Sequence, residues 1–464
     1  MTSPQAPYMI AHEDLTAPLI VLLVSSSSSE ILSTKELSAH FALYVVEVNS
    51  DSQWEIPQHI QSQVKGVIAY GTEAAAVACA QPTVVALVKP PSDGWIQNIR
   101  ATNLLVLSHY EQYPALKIMQ MEDMLKNHND LVWEITRYQS TDIPWDNLMH
   151  FFQQAWDPPV KQIPSHDVFR IQTVSYPTTD PLLEGYLAVP SSSHNRRHPA
   201  VILLPNWDGV NLYEQQRIQL LADEGFVAMA ADIYGKDLHH NLTLQQMIQQ
   251  STYYRETHVD EYLQKIQHAL DYVASLPFVD PTRLGLAGYC FGGTGVIQYV
   301  LKRTQPGLQV AAAFHGGLQP KYLPSQDRVS PIHPYVLVLS GGSDDAHGNQ
   351  SVLESALQAA DEWEISRYAN VYHGFTEWEN PAYNLIADTR SWDAFLRQLR
   401  ARLQPRAIEA NQRTFSSISA WVSGVCLIVL IALVWMRRRK QHQQYAKLCQ
   451  IPVPASRKPS QKQK

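Results

Sequence analysis

The sequence predicts an α/β fold in which a mostly parallel sheet flanked by helices occupies residues 160–404, with a smaller α/β domain over 1–155 before it and one transmembrane helix after it. Three observations predict this arrangement. Strand-like and helix-like patterns alternate through the second half. A Gly-x-Cys-x-Gly turn falls at one strand-to-helix junction, and an uncharged apolar stretch covers residues 416–436.

In the second half, Ala200-Val-Ile-Leu-Leu204 is a continuous apolar run, the mark of a strand covered on both faces. A loop follows from Pro205 to Asn211, then a helical pattern from Tyr213 to Glu224. Gly225 ends that helix, and Phe226 to Ala231 reads as the next strand. Between His258 and Leu276, the residues Val259, Tyr262, Leu263, Ile266, Ala269, Leu270 and Val273 share one helix face. Pro277 and Pro281 close it. Tyr335-Val-Leu-Val-Leu-Ser340 and the segment from Glu364 to Asn370 are further strands.

The chemistry concentrates in three places. Gly288-Tyr-Cys-Phe-Gly292 joins an apolar strand to a helical pattern, the strand–turn–helix setting of a nucleophile elbow. Its glycines let strand and helix pack closely around a sharp turn. Such a turn points the Phe291 backbone N–H at a developing oxyanion. In this order of elements an acid follows the nucleophile and a base follows the acid. Gly341-Gly-Ser-Asp-Asp345 ends a strand, where sheet enzymes keep catalytic groups. His373 lies in the loop after the next strand, just before Gly374. With 18 histidines in the chain, position decides: His347 follows the acid too closely and His315 precedes it. Cys290, an acid at Asp344 or Asp345, and His373 are therefore the expected triad.

Over residues 165–404 the sequence resembles the dienelactone hydrolase family of the α/β-hydrolase superfamily. The resemblance rests on Gly288-Tyr-Cys-Phe-Gly-Gly293, Phe314-His-Gly-Gly317, Gly341-Gly-Ser-Asp344, Tyr372-His-Gly-Phe375, and Ala382-Tyr-Asn with Asp388-Thr-Arg-Ser-Trp392. It implies a cysteine hydrolase with nucleophile Cys290, acid Asp344 and base His373, and oxyanion donors from the backbone of Phe291 and Trp207. The substrate it implies is a small molecule with an ester, lactone or thioester bond, and neither metal nor organic cofactor is expected. The family usually carries a glutamate in the loop after the first core strand. Here Asn206 stands at that place in Pro205-Asn-Trp-Asp-Gly-Val-Asn211. Asn206 and Asp208 are thus candidates for substrate binding or gating; Asp208 either replaces the glutamate or merely forms the turn. Arg255 and Tyr253 are further candidate contacts, a solvated helix face being the alternative.

At 45% hydrophobic and 17% charged residues, the composition is that of a globular protein. Nine of the 36 Lys/Arg residues lie between Arg437 and the C-terminus with no acid among them, leaving 27 to face 43 Asp/Glu in the remainder. An acidic body argues against nucleic-acid binding, and a basic tail over 437–464 suits an anionic surface. Cys79, Cys290, Cys426 and Cys449 are widely spaced, which argues against a disulfide framework and a Cys/His zinc motif. Residues 416–436 are long enough to cross a bilayer, carry Trp421 and Trp435 near the ends, and run into Arg437-Arg438-Arg439-Lys440. They predict single-pass membrane attachment through a linker at 405–415. The side occupied by the enzyme stays open, with the cytoplasm favoured because no secretory signal is visible.

Internal repetition suggests that 1–155 is a degenerate copy of the second half. Leu104-Leu-Val-Leu-Ser108 parallels Val336-Leu-Val-Leu-Ser340, Trp133-Glu-Ile-Thr-Arg-Tyr138 parallels Trp363-Glu-Ile-Ser-Arg-Tyr368, and Trp145-Asp-Asn-Leu148 parallels Trp392-Asp-Ala-Phe395. Tyr70 falls opposite Tyr289. In that register Gly71 and Gln112 replace the nucleophile and the acid, and the loop carrying the base has no counterpart. An unrelated flavodoxin-like domain is the alternative for this half. For the whole chain, the alternative is a catalytically silent hydrolase shell serving as a binding or scaffolding protein at a membrane.

Overall fold

The computed structural model describes residues 8–10, 18–25, 41–48, 60, 62–70, 78, 84–88, 99–109, 111, 115–128, 130–140, 143–159, 171–176, 182–190, 197–236, 238, 242–324 and 328–404. Residues 416–436, the basic tail, Cys79, Cys426, Cys449, Gly71 and Gln112 lie outside them. Among the described residues no helix is long and apolar enough to cross a membrane.

The strands are β1 (Tyr8–Ile10), β2 (Leu19–Ser25), β3 (Ala42–Val48), β4 (Val64–Tyr70), β5 (Val84–Val88), β6 (Asn103–His109), β7 (Val132–Tyr138), β8 (Ile171–Tyr176), β9 (Leu183–Ala188), β10 (His198–Leu204), β11 (Val227–Ala230), β12 (Val279–Tyr289), β13 (Leu308–Phe314), β14 (Tyr335–Gly341) and β15 (Trp363–Tyr368). The helices used below are α1 (Ala115–Leu125), α2 (Trp145–Trp156), α3 (Leu212–Asp223), α4 (Leu244–Thr252), α5 (Val259–Ser275), α6 (Phe291–Lys302), α7 (Gln350–Leu357) and α8 (Leu385–Leu403). The described strands form one sheet in the order β1-β3-β2-β4-β5-β6-β7-β15-β14-β13-β12-β10-β11-β9-β8. This continuous sheet joins the described strands of residues 1–155 to those of 160–404 and lies within one compact unit, Met1–Gln404.

Read outward from β7 and from β15, the two halves have the same order. The series β7-β6-β5-β4-β2-β3-β1 matches β15-β14-β13-β12-β10-β11-β9, with β1 and β9 each antiparallel to its neighbour. The halves meet where β7 pairs antiparallel with β15. Glu134 lies opposite Tyr368 and Tyr138 opposite Glu364, so corresponding residues exchange places about a centre at Thr136 and Ser366. The two hydroxyls hydrogen-bond there at 2.9 Å. On either side of this centre, Ala369 N–H donates to Trp133 O and Gln139 N–H to Trp363 O. Arg137 Nε donates to Glu354 of α7 at 2.5 Å, and Arg367 Nε to Glu122 of α1 at 2.6 Å. These two ion pairs are related by the same exchange.

Apolar patterning places the layers. The strands buried on both faces are the continuous apolar runs, such as Ala200–Leu204 within β10 and all of β14. Helix α5 buries Tyr262, Leu263, Ile266, Ala269, Leu270 and Val273, most of the stripe its periodicity predicts. One cluster under α5 and α6 and another under α3 and α8 sandwich the second half of the sheet. Two smaller clusters do the same in the first half, one including residues of α1 and the other residues of α2.

Candidate active site

The site lies at the C-terminal ends of β10, β12 and β14 and in the loop after β15. Strand β12 ends at Tyr289 and helix α6 begins at Phe291. Between them Cys290 has φ 50° and ψ −109°, a strained backbone for a residue with a Cβ. Glycine is required on both sides. A Cβ on Gly288 would sit 2.4 Å from the Gly292 carbonyl, and one on Gly292 would sit 2.5 Å from Leu204 O. The turn is held by Cys290 N–H donating to Phe314 O at 3.0 Å and by Thr294 N–H donating to Cys290 O at 3.1 Å.

Beyond β14, Gly342 N–H donates to Tyr368 O and Ser343 N–H to Val371 O, locking the turn that presents Asp344. The Asp344 side chain is fully buried and also accepts from Ala346 N–H at 2.9 Å. His373 Nδ1 lies 3.1 Å from both Asp344 carboxylate oxygens, and its Nε2 lies 3.0 Å from Cys290 Sγ. The three residues singled out from the sequence therefore form one continuous relay. Burial pulls the His373 ring toward the neutral form, but its hydrogen bonds to Asp344 and Cys290 outweigh this and raise it from 6.5 to about 10.

The rival histidines occupy other roles. His315 is fully buried, donates its backbone N–H to Leu339 O, and bonds through Nε2 to Thr376 Oγ1 at 2.8 Å. Burial, and then the neighbouring His373, hold it well below the ordinary histidine range, so it faces His373 as a neutral ring at 5.1 Å. His347 belongs to a short turn directly after the acid.

Phe291 is the first residue of α6, where a backbone N–H has no intrahelical acceptor. Its ring stacks on Tyr262 at 4.6 Å, and Tyr262 hydroxyl donates to Phe291 O. Trp207 lies in the loop after β10, which is tied to the elbow by Gly292 N–H donating to Pro205 O at 2.9 Å. Tyr234 hydroxyl donates to Trp207 O at 2.8 Å. Asn206 and Asp208 lie in the same loop. Asn206 is buried, and Asp208 accepts from Asn211 Nδ2 at 2.8 Å. Burial raises the Asp208 carboxyl above its usual range.

Glu214, which matters to this loop, was not singled out from the sequence. Glu214 is fully buried, and its two oxygens accept N–H groups from Asn206 at 3.2 Å and Asn211 at 3.0 Å, bracing both ends of the loop. Burial, reinforced by the charge of Asp208, pushes it to about 8. The Asn211-x-x-Glu214 spacing is a capping box, so the signal was present before α3. Glu377, raised by burial, acts electrostatically on this region through Asp208 and His373. Of the two proposed contacts before α5, Tyr253 is turned outward, stacked on His258 and bonded to Glu261. Arg255 instead lies over Tyr322 at 4.3 Å and reaches Gly317. Among the described residues no group of three His, Cys, Asp or Glu side chains is arranged to hold a metal ion.

A nucleophile-bearing turn between strand and helix, with acid and histidine on successive later strand ends, defines the α/β-hydrolase class. Residues 183–403 match the model of the dienelactone hydrolase family. A Synechocystis protein provisionally assigned as a carboxymethylenebutenolidase is 27% identical over 232 residues, covering 47% of this chain and 92% of its own. A Bradyrhizobium protein assigned in the same way as a 2-oxo-3-(5-oxofuran-2-ylidene)propanoate lactonase is 29% identical over 229 residues, covering 47% and 89%. A solved dienelactone hydrolase-type structure from Klebsiella pneumoniae aligns at 21% identity and TM-score 0.43, covering 49% of this chain and 97% of that one. Over its second half the chain is accordingly similar to hydrolases of carboxylic ester or lactone bonds.

Proposed function

We propose that the protein hydrolyses a small-molecule ester, lactone or thioester through Cys290, His373 and Asp344. The observation that carries this reading is the unbroken contact from thiol to imidazole to carboxylate, at 3.0 and 3.1 Å. His373 takes the thiol proton while Asp344 supports the resulting imidazolium. The thiolate attacks the carbonyl carbon, and the oxyanion meets the backbone N–H groups of Phe291 and Trp207. The imidazolium then protonates the leaving oxygen or sulfur, and the acyl group remains on Cys290. Water attacks the acyl-enzyme with His373 as base, releasing the acid and restoring the thiol. Asn206 and Asp208 shape the entrance loop, and the Arg255 cation suits a substrate bearing an acidic group.

The test is reaction with an electrophilic thiol probe at neutral pH, together with turnover of an ester, lactone and thioester panel, for wild type and Cys290→Ser. Cys290 should react far faster than an ordinary thiol and be required for turnover. Ordinary reactivity would favour the silent shell over the enzyme.

Residues 1–155 read as a degenerate copy of the hydrolase fold, paired with the second half as one subunit of a dimer pairs with another. The matching strand orders and the reciprocal exchange about Thr136 and Ser366 support this reading. Superposing the two halves in an experimental structure should bring Tyr138 onto Tyr368 and Tyr70 onto Tyr289. Residues 416–436 serve as a bilayer anchor with the enzyme on the cytoplasmic side, a reading carried by their uncharged composition and cationic flank. Deleting 415–464 should move the protein from the membrane fraction to the soluble fraction with activity intact. A truncated chain that still sediments with membranes would exclude this anchor.

A further inference from the structure

The turn that carries Asp344 is braced by the first half of the chain. We infer that Glu122 and Trp133 are positioning residues for the acid of the triad, so that the first half of the chain completes the working site of the second. This rests on the assignment of Asp344 as that acid.

Two contacts carry the inference. Glu122, on α1, holds Arg367 Nε at 2.6 Å, and Arg367 Nη2 in turn donates to Gly342 O at 3.3 Å. Gly342 lies two residues before Asp344, in the turn after β14. Trp133, the fully buried second residue of β7, lays its indole against the same glycine. A Cβ on Gly342 would stand 2.5 Å from Trp133 Cη2 and 2.7 Å from Tyr368 O. A cavity of about 270 Å³ lies between α1 and the acid turn, lined by Met119, Asp123 and Lys126 on one wall and by Ser343, Asp344 and Asp345 on the other. Arg367 and Trp133 therefore support the turn on this side, beside its backbone bonds to Tyr368 and Val371, and a loss of either contact loosens it. Asp344 is the only partner fixing His373 Nδ1 among the described contacts, so a shift of the turn is felt at the imidazole.

The exchange between halves supplies a control. Arg137 and Glu354 form the counterpart of the Glu122–Arg367 pair, equally buried and on the same seam, but Arg137 makes no described contact with Gly342. If the ion pairs only hold the halves together, disrupting either should affect activity alike. If Glu122 positions the acid, only its loss should alter the chemistry.

The experiment uses the full chain, with hydrolysis of p-nitrophenyl acetate and alkylation of Cys290 by iodoacetamide measured across pH. Glu122→Gln is expected to lower kcat by about tenfold or more with KM within about twofold. It should also move the alkaline limb that reports His373 downward by about one pH unit. Trp133→Phe should do the same to a smaller extent. Arg137→Gln should lower the melting temperature while leaving kcat and the pH profile in place. Should Glu122→Gln fail to fold, Glu122→Asp and Trp133→Phe carry the same readouts. Wild-type kcat and an unmoved pH profile in the Glu122 and Trp133 variants, or an equal loss in Arg137→Gln, overturn the inference. Asp344→Asn is run alongside. If it is impaired and the Glu122 and Trp133 variants are not, the inference alone falls. If it is fully active, the triad assignment falls and takes the inference with it.

Discussion

Replacing Asp344 by asparagine keeps the side chain's size but removes the charge that both oxygens bring to within 3.1 Å of His373 Nδ1. An amide NH2 turned toward Nδ1 also asks that nitrogen to accept, which moves the ring proton to Nε2 and leaves nothing to take the proton of Cys290. The rise of His373 from 6.5 to about 10 corresponds to roughly 5 kcal/mol of preference for the imidazolium. Loss of an adjacent carboxylate removes about 1–3 pH units of that rise, or ~1.4–4 kcal/mol. In a triad the wrong tautomer lowers turnover by about 10⁴-fold, as the corresponding change does in a serine protease. The assay is kcat/KM against pH, with alkylation of Cys290 as a second readout. The wild-type alkaline limb should fall near pH 10, where the imidazolium is lost, and the variant's should lie lower. A variant with an unmoved limb and turnover within tenfold of wild type would falsify the role given to Asp344.

Three further outcomes follow from the packing. Glu214 has a folded-state value of about 8 against 4.5 unfolded, so the contribution of its neutral form is complete below pH 4.5 and is lost as pH rises toward 8. Glu214→Gln should flatten that part of the stability curve in urea melts at several pH values; an unchanged slope would show that Glu214 does not titrate there. Gly292→Ala drives a Cβ to 2.5 Å from Leu204 O, so it should cost about 1–3 kcal/mol in thermal unfolding and displace the Trp207 loop, with loss of turnover. Arg217 lies buried among Tyr213, Tyr289, Trp378 and Trp392 and pairs with Asp388 at 2.5 Å. Arg217→Met should destabilise the protein by about 3–5 kcal/mol because the buried carboxylate loses its partner. A denaturation midpoint equal to wild type would show that Asp388 finds another.

The relay was legible because Cys290, His373 and the Asp344-Asp345 pair follow from local patterning, the family resemblance then choosing Asp344. Apolar runs define β12, β14 and β15, glycines mark the elbow, and the loops after those strands can be ordered along the chain without knowing any contact. Parallel strands in one sheet then bring Cys290, Asp344 and His373 to the same edge. The rejection of His315 was also available from chain order, although its burial beside Thr376 was not. Glu214 was missed for the opposite reason. Its spacing from Asn211 looks like ordinary helix capping, and only burial beside Asp208 turns it into a titrating brace for the loop.

The sequence by itself determined the elements, their order, the chemical identity of the candidate site and the likeness of Trp133–Tyr138 to Trp363–Tyr368. Periodicity, turn chemistry and repetition are all written within short windows of chain. Only the tertiary structure decided that these two similar strands pair antiparallel with each other, about Thr136 and Ser366, and make one sheet of the two halves. Repetition says that two segments fold alike, not which of their edges meet. That choice depends on backbone N–H and C=O groups and buried charges more than 200 residues apart, such as Arg367 with Glu122, finding partners only when both halves are already folded.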